Sequence, residues 1–204
     1  MECWIFGGGY LGDYGKIQIP KNAYIIAADG GLTHVEKLGL APDLVVGDFD
    51  SFKGDLPENC EIIKVPVKKD DTDMMLAVKK AIERGYRKIT LCGALGGRLD
   101  HTFANIQTLE YISENGGIGR IVSDNNEVYF QKCGSVTYPQ KDEWYFSVFA
   151  YSDEATVSLK GTLYTLEKYT LKRSFPLGVS NEITAEYAQV TLDGGNVLVI
   201  YSKK

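Results

Sequence analysis

Residues 24–51 read YIIAADGGLTHVEKLGLAPDLVVGDFDS, and their pattern indicates the architecture of the first half of the chain. It begins with a short apolar run that ends at Asp29. Apolar residues at helical spacing then continue up to Gly39, and a second apolar run precedes Asp48. Short apolar runs bounded by Gly, Pro and Asp are typical of buried parallel strands. The stretch therefore predicts a strand–helix–strand unit with acidic residues after each strand.

The same alternation extends over the rest of the first half. Further apolar runs predict strands at 3–6, 62–65, 89–92 and 121–122. Two more helical periods predict helices that end before Gly85 and Gly116, the second with Phe103, Ile106, Leu109 and Ile112 on its apolar face. Repeated strand–helix units favour a sheet of parallel strands. We expect residues 1–125 to form an α/β domain with a mainly parallel, Rossmann-like sheet.

After about residue 123 the sequence becomes rich in Val, Thr, Tyr and Phe, often in alternation, and helical periods are absent. Turn residues recur at short intervals, which is typical of antiparallel strands. Strands are predicted at 136–138, 144–151, 155–159, 163–171, 181–192 and 197–201. We therefore expect residues 126–204 to form an all-β sandwich domain.

Composition excludes several classes of protein. The 204 residues are 44% hydrophobic and 24% charged, and the net charge of −5 argues against a nucleic-acid partner. The N-terminus lacks the basic flank of a signal peptide, and no apolar run is long enough to span a bilayer, so we expect a cytoplasmic protein without a membrane partner. Four scattered cysteines and two histidines disfavour a zinc site or a disulfide framework.

Acidic residues cluster where predicted strands end or helices begin: Asp29; Asp48 and Asp50; Asp70, Asp71 and Asp73. Because the carboxyl ends of parallel strands share one edge of a sheet, we expect several of these carboxylates to face one another. Two carboxylates about 4 Å apart repel by roughly 4 kcal/mol at an effective dielectric constant of ~20, so the cluster needs a cation. Oxygen ligands suit magnesium, which also binds substrate phosphates.

Each acidic cluster also has an ordinary structural interpretation. Asp48 and Asp50 can belong to an exposed turn, where Asp is common. The residues before the second helix can serve its N-terminus, with Asp71 or Thr72 as the cap, Asp71 being preferred, and Asp73 in the first turn. Three acids in four positions exceed what capping requires, and we select Asp73 as the functional one.

A glycine-rich turn, GALGGRLDH at residues 93–101, joins a predicted strand to the third helix. Glycines let a backbone approach a ligand closely, and the N-terminus of the following helix attracts anions. Arg98 can bind two phosphate oxygens at once, whereas Asp100 is either a helix cap or a base near the metal. Lys69 can neutralise phosphate or lie on a solvated surface. The Lys-Ser/Thr ending of a P-loop is missing, which excludes a Walker site.

Taken in order, five motifs resemble the thiamin pyrophosphokinase family: ADGG at 28–31, GDFDS at 47–51, DTD at 71–73, GALGGRLDH at 93–101 and SNE at 180–182. The resemblance covers essentially the whole chain, including the change from an α/β half to an all-β half. It implies an enzyme that transfers the pyrophosphoryl group of ATP to the hydroxyl of thiamin with magnesium, giving thiamin diphosphate and AMP. It also implies a homodimer whose active site lies between the α/β half of one subunit and the β half of the other.

The resemblance also implies roles for individual residues. Asp48, Asp50 and Asp73 would hold magnesium against the ATP phosphates. Arg98 would bind the phosphates, and Asp100 would orient or deprotonate the thiamin hydroxyl. Further residues would bind the nucleotide: Asp29, Gly30, Gly31, Lys69 and Gly97.

The thiamin site differs from that of animal members. Ser180 and Asn181 would contact thiamin from the partner subunit. Animal members carry Gln where Lys69 stands, at a thiamin-contacting position, and a Trp near the C-terminus, where this chain has residues 195–199. The chain is similar to bacterial members of the family.

Two other functions are compatible with the same residues. An Asp-x-Asp pair at a strand end also binds metal–nucleotide-sugar complexes in glycosyltransferases, which release a nucleoside diphosphate rather than AMP. A nucleotide- or thiamin-binding sensor would bind its ligand without turnover. A purely structural protein gives no reason to gather acids at strand ends.

Overall fold

The structure, a computed structural model, describes residues 1–49, 56–66 and 70–204. The chain falls into two compact units, Met1–Asp124 and Asn125–Lys204. The first unit combines parallel strands with helices, and the strands of the second are antiparallel, so the predicted fold class is confirmed. None of the helices in the described ranges has the length and apolar character needed to cross a membrane.

The described part of the first unit contains a sheet of six parallel strands. Their bounds are Glu2–Phe6 (β1), Tyr24–Ala28 (β2), Leu44–Gly47 (β3), Glu61–Lys64 (β4), Lys88–Cys92 (β5) and Ile118–Val122 (β6). In space they follow the order β4-β3-β2-β1-β5-β6. The order reverses direction between β1 and β5. Ligands of open α/β sheets bind at the carboxyl ends of the strands at such a switch point.

The central strands are apolar because both of their faces are covered. Trp4, Ile5 and Phe6 of β1 are at most 1% exposed. Cys92 of β5 and Cys3 of β1 are buried in the same sheet, and burial raises the pKa of both thiols to about 12. These cysteines therefore act as small core residues, as the sequence predicts.

Within the described residues, three α-helices connect the strands: Leu32–Lys37 (α1), Asp73–Glu83 (α2) and Leu99–Glu114 (α3). Thr72 caps the N-terminus of α2, because its hydroxyl oxygen accepts the N–H of Met75 at 3.1 Å. Of the two predicted caps, Thr72 is therefore confirmed and the preference for Asp71 is wrong. Both carboxylate oxygens of Asp71 instead accept from Lys79 Nζ at 2.7 Å. Asp73 lies in the first turn, where its charge also favours the helix.

The predicted apolar face of α3 is correct only in its second half. Leu109 and Ile112 are fully buried, but Phe103 is 59% exposed. The buried face near the start of the helix instead contains Asn105 and continues through Thr108. Hydropathy alone misplaces this face, because polar side chains take core-facing positions where they find hydrogen-bond partners.

The second unit consists of antiparallel strands: Asn126–Gln131 (β7), Gly134–Pro139 (β8), Trp144–Ala150 (β9), Glu154–Lys160 (β10), Leu166–Lys172 (β11), Tyr187–Gly194 (β12) and Val197–Lys203 (β13). β13 pairs with β7 and β9, and a four-stranded sheet has the order β11-β10-β12-β8. The strand β7 was not among the strands predicted from the sequence. The predicted strands at 163–171 and 181–192 begin later, at Leu166 and Tyr187.

Candidate active site

A cleft of about 250 Å³ opens at the carboxyl ends of β1, β2 and β5, at the switch point of the sheet. Strand-end loops and the first turns of α2 and α3 surround it. It is lined by Gly7, Gly8, Gly9, Ala28, Asp29, Thr72, Asp73, Met74, Gly93, Ala94, Gly96, Gly97, Arg98, His101 and Asn105. The cleft thus combines glycine backbone, carboxylates, a guanidinium group and two helix N-termini.

Two glycine-rich loops that follow β1 and β5 are joined by backbone hydrogen bonds. The N–H of Gly9 donates to the carbonyl oxygen of Gly93 at 2.7 Å, and the N–H of Tyr10 donates to that of Leu95 at 2.6 Å. Gly93 has a φ of +60°, and a Cβ at this position would collide with the carbonyl oxygen of Gly7. Only glycine lets the two backbones approach this closely.

We expect Gly93→Ala to destabilise the first unit by roughly 2–5 kcal/mol, because it adds both backbone strain and a steric collision. Gly39→Ala is the matched control: its φ is +66°, but a Cβ there meets no atom within 4 Å. Chemical denaturation of both variants measures the difference in the free energy of unfolding. An equal loss in the two variants would show that the contact with Gly7 costs nothing.

The cleft receives carboxylates from two of its walls. Asp29 lies directly after β2 with a φ of +46°, and Asp73 lies in the first turn of α2. At the end of neighbouring β3, a Cβ at Gly47 would lie 3.1 Å from the Cα of Asp29. Asp48 follows Gly47 and is half-buried, so it extends the same acidic edge without lining the cleft itself. Asp50 lies outside the described residues.

The donor set at this edge fits magnesium in its chemistry. Within residues 1–49, 56–66 and 70–204, no three His, Cys, Asp or Glu side chains are grouped closely enough to hold a metal ion. Magnesium, however, binds through one or two carboxylates and completes its shell with substrate phosphates and water. Asp73 and Asp48 supply such hard oxygen donors beside the cleft.

Arg98 and Asp100 form an ion pair at the rim. Arg98 Nη2 and Nε donate to the two Asp100 oxygens at 2.6 and 3.2 Å. The hydrogen bonds from Arg98 lower the pKa of the Asp100 carboxyl, and Asp100 raises the pKa of the guanidinium. Both side chains are largely exposed, so the pair contributes little to stability. Arg98 is therefore free to exchange its carboxylate partner for a phosphate.

Two family models match the chain. Residues 17–118 match the catalytic domain of thiamin pyrophosphokinase, and residues 135–197 match its vitamin B1 binding domain. The chain belongs to the thiamin pyrophosphokinase family. The predicted family and the predicted function as a thiamine diphosphokinase, a transferase, are thus confirmed.

Individual thiamin pyrophosphokinases agree with this assignment. Thiamine pyrophosphokinase of Bacillus subtilis (strain 168) is 28% identical over 186 residues, covering 87% of this chain and 86% of the relative. Thiamin pyrophosphokinase 1 of Caenorhabditis elegans is 25% identical over 205 residues, covering 88% and 78%. The crystal structure of a Geobacillus thermodenitrificans thiamin pyrophosphokinase matches with a TM-score of 0.88 at 27% identity, covering 100% of this chain and 98% of the other.

Close packing explains why glycines follow Asp29 in this thiamin pyrophosphokinase fold. A Cβ at Gly31 would collide with the carbonyl oxygen of Phe6, and a Cβ at Gly30 would lie 3.4 Å from the Cα of Gly8. The start of α1 therefore packs directly on the end of β1. The predicted role of Gly30 and Gly31 in nucleotide binding stays a prediction. Lys69 lies outside the described residues.

Ser180 and Asn181 lie in the second unit. Asn181 is 5% exposed, and its Oδ1 accepts the N–H groups of Tyr164 and Glu182 at 3.0 and 2.9 Å. Its Nδ2 donates to the carbonyl oxygen of Tyr164 at 2.8 Å. The N–H of Ser180 donates to Ser147 Oγ at 3.0 Å. The Asn181 amide thus fixes the backbone at Tyr164, and the thiamin contact of both residues stays a prediction.

Two side chains that hold the glycine loops of the cleft were not predicted from the sequence. His34 Nε2 contacts the carbonyl oxygen of Gly9 at 2.8 Å. Asn105, 7% exposed on α3, donates from Nδ2 to the carbonyl oxygen of Ala94 at 2.8 Å. The sequence shows both only as polar residues at helical positions, of which Asn105 proves to be buried, and this does not identify their partners.

Proposed function

We propose that the cleft of the first unit binds the triphosphate of ATP and that the protein transfers its pyrophosphoryl group to thiamin. The observation that carries this proposal is the position of the cleft at the switch point, where two glycine loops, two carboxylates and Arg98 line one space. Phosphate groups need hydrogen-bond donors and positive charge around them. The reaction would give thiamin diphosphate and AMP.

The phosphates are bound chiefly by the α3 side of the cleft in this proposal. The first turn of α3 borders the cleft, and helix N-termini attract anions through their N–H groups. Arg98 binds two phosphate oxygens once they displace Asp100 from its guanidinium. Gly97 lies next to Arg98 in the lining and allows the close approach of a ligand. Lys69 is proposed to add positive charge.

Asp48, Asp50 and Asp73 are the residues proposed to hold magnesium, and Asp29 follows β2 at the same edge of the sheet. When bound, the ion neutralises phosphate charge and acts as a Lewis acid. Asp29, Asp48 and Asp73 are half-buried at this edge of the sheet. Their negative charges repel phosphate until a cation is bound between them and the phosphate.

Asp100 is proposed to orient the thiamin hydroxyl for attack in line with the departing AMP. The hydrogen bonds from Arg98 lower the pKa of the Asp100 carboxyl in the unliganded chain. Once phosphate takes the place of Asp100 on the guanidinium, the carboxylate can accept the hydrogen bond of the thiamin hydroxyl and orient it. Phosphoryl-type transfer depends mainly on positioning and on stabilising phosphate charge, so a strong base is not required.

The protein is further proposed to act as a homodimer in which Ser180 and Asn181 of one subunit serve thiamin bound at the other. Two exposed apolar side chains on α3 support a subunit contact on this helix. In the isolated chain Leu99 is 81% exposed and Phe103 is 59% exposed. Large exposed apolar side chains close together mark interaction surfaces. Sedimentation of the purified protein tests the dimer. The cytoplasmic location stays a prediction.

Incubating the protein with MgATP and thiamin tests the proposed reaction. We expect AMP and thiamin diphosphate in equal amounts, and loss of both products when EDTA replaces magnesium. ADP with thiamin monophosphate would contradict pyrophosphoryl transfer. Binding of either substrate without turnover would favour a sensor. Release of a nucleoside diphosphate from a nucleotide sugar would favour a glycosyltransferase.

A further inference from the structure

The peptide group that joins Gly9 to Tyr10 is held from two sides. Its C=O accepts from His34 Nε2 at 2.8 Å, and its N–H donates to the carbonyl oxygen of Leu95 at 2.6 Å. The C=O and N–H of a trans peptide point in opposite directions, so these two bonds fix the orientation of the peptide plane. The preceding peptide is held as well, because the N–H of Gly9 donates to Gly93 at 2.7 Å.

The C=O of Gly9 determines which nitrogen of His34 carries the proton, and Tyr14 holds the other nitrogen. A carbonyl oxygen can only accept, so Nε2 must be protonated to bond to Gly9. Nδ1 of the neutral ring is then an acceptor, and the Tyr14 hydroxyl, 2.8 Å away, donates to it. The two rings also pack together, with centroids 5.7 Å apart. Hydrogen bonds therefore connect the Tyr14 hydroxyl, the ring of His34 on α1 and the C=O of Gly9 in the glycine loop.

The glycine loop needs such contacts to keep one conformation. Glycine has more backbone freedom than any other residue, and residues 7–9 are all glycine. Gly8 lines the cleft, and its N–H has no hydrogen-bond partner among the residues that the structure describes. The direction of this N–H depends on the peptide planes on either side of it. His34 acts on this donor through the intervening Gly8–Gly9 peptide, which the bond from the Gly9 N–H to Gly93 also holds.

We propose that His34, oriented by Tyr14, is a positioning residue for nucleotide binding. By holding the C=O of Gly9, it keeps the Gly7–Gly9 loop in the conformation that meets the phosphates of ATP. This proposal rests on the proposed function, which assigns the cleft to the triphosphate. Hydrogen-bond donors that are already in position bind negative charge without the free-energy cost of rearranging the loop. Loss of His34 should therefore weaken ATP binding and leave thiamin binding unchanged.

Steady-state kinetics of three variants test the role of His34. We expect His34→Ala to raise KM for ATP about tenfold, the effect of one lost hydrogen bond, with KM for thiamin within about twofold of wild type. His34→Gln keeps an N–H donor and should recover most of the loss. Tyr14→Phe should raise KM for ATP about threefold, because the histidine ring loses the hydrogen bond that orients it. Thr33→Ala, on the exposed side of α1, is the control.

The outcomes separate this proposal from the proposed function. If the wild-type protein releases no AMP, the proposed function fails. If it turns over but His34→Ala leaves KM for ATP unchanged, the positioning role of His34 is overturned. An equal rise of KM for both substrates, or equal losses in His34→Ala and His34→Gln, also overturns it, since the ring would then act only through packing. If His34→Ala does not fold, Tyr14→Phe decides, and an unchanged KM for ATP refutes the proposal.

Discussion

Replacing Asp73 by Asn is expected to lower kcat for AMP release about a thousandfold while the protein stays folded. The variant keeps the size of the side chain but removes the charge proposed to hold magnesium at the cleft. Thr72, not Asp73, caps α2. Loss of the Asp73 charge removes its favourable interaction with the helix dipole, which contributes about 0.3–1 kcal/mol. The measurement is AMP release at saturating MgATP and thiamin, together with thermal unfolding.

Asp70→Asn is the matched control, because Asp70 is exposed three residues earlier in the same acidic segment. Asp71→Asn is unsuitable as a control, since Asp71 pairs with Lys79. Wild-type turnover in Asp73→Asn would remove this residue from the metal site. Asp48→Asn and Asp50→Asn are expected to behave like Asp73→Asn, and the same assay tests them.

Arg98→Ala is expected to lower kcat/KM for ATP about a hundredfold and to change KM for thiamin little. The guanidinium is proposed to bind two phosphate oxygens, and alanine removes both donors. The stability of the protein should hardly change, because the Arg98 side chain is 72% exposed and its ion pair with Asp100 is solvated. Initial rates at varied ATP and fixed saturating thiamin measure the effect.

Two further variants sharpen the Arg98 test. Arg98→Lys keeps the positive charge but not the planar fork, so its loss should lie between wild type and Arg98→Ala. Arg173 in the second unit forms a similarly exposed pair with Asp153, at 2.6 Å, and Arg173→Ala is the matched control. Unchanged ATP kinetics in Arg98→Ala would show that the turn at residues 93–101 has another task.

Most of the first unit could be predicted from local patterns. The runs at β1, β2, β3 and β5 are apolar because these strands are covered on both faces, and such runs are visible in one dimension. Strand β7, Asn126–Gln131, was not predicted from the sequence because the strand is only partly buried and has three polar side chains near its ends. The buried position of Asn105 on α3 was also hidden, since its partner, the backbone of Ala94, lies in another segment.

Most of the elements and their order along the chain could be predicted from the sequence, because helical and strand periods are local properties of the chain. The sequence also placed Asp29, Asp48 and Asp73 at the ends or beginnings of those elements, and the ordered motifs identified the family. The pairing of β1 with β5, which brings Gly9 to Gly93 and creates the cleft, could be seen only in three dimensions. The partner of His34 was decided in the same way. Hydrogen bonds between segments distant in sequence depend on strand pairing, and no local period encodes that pairing.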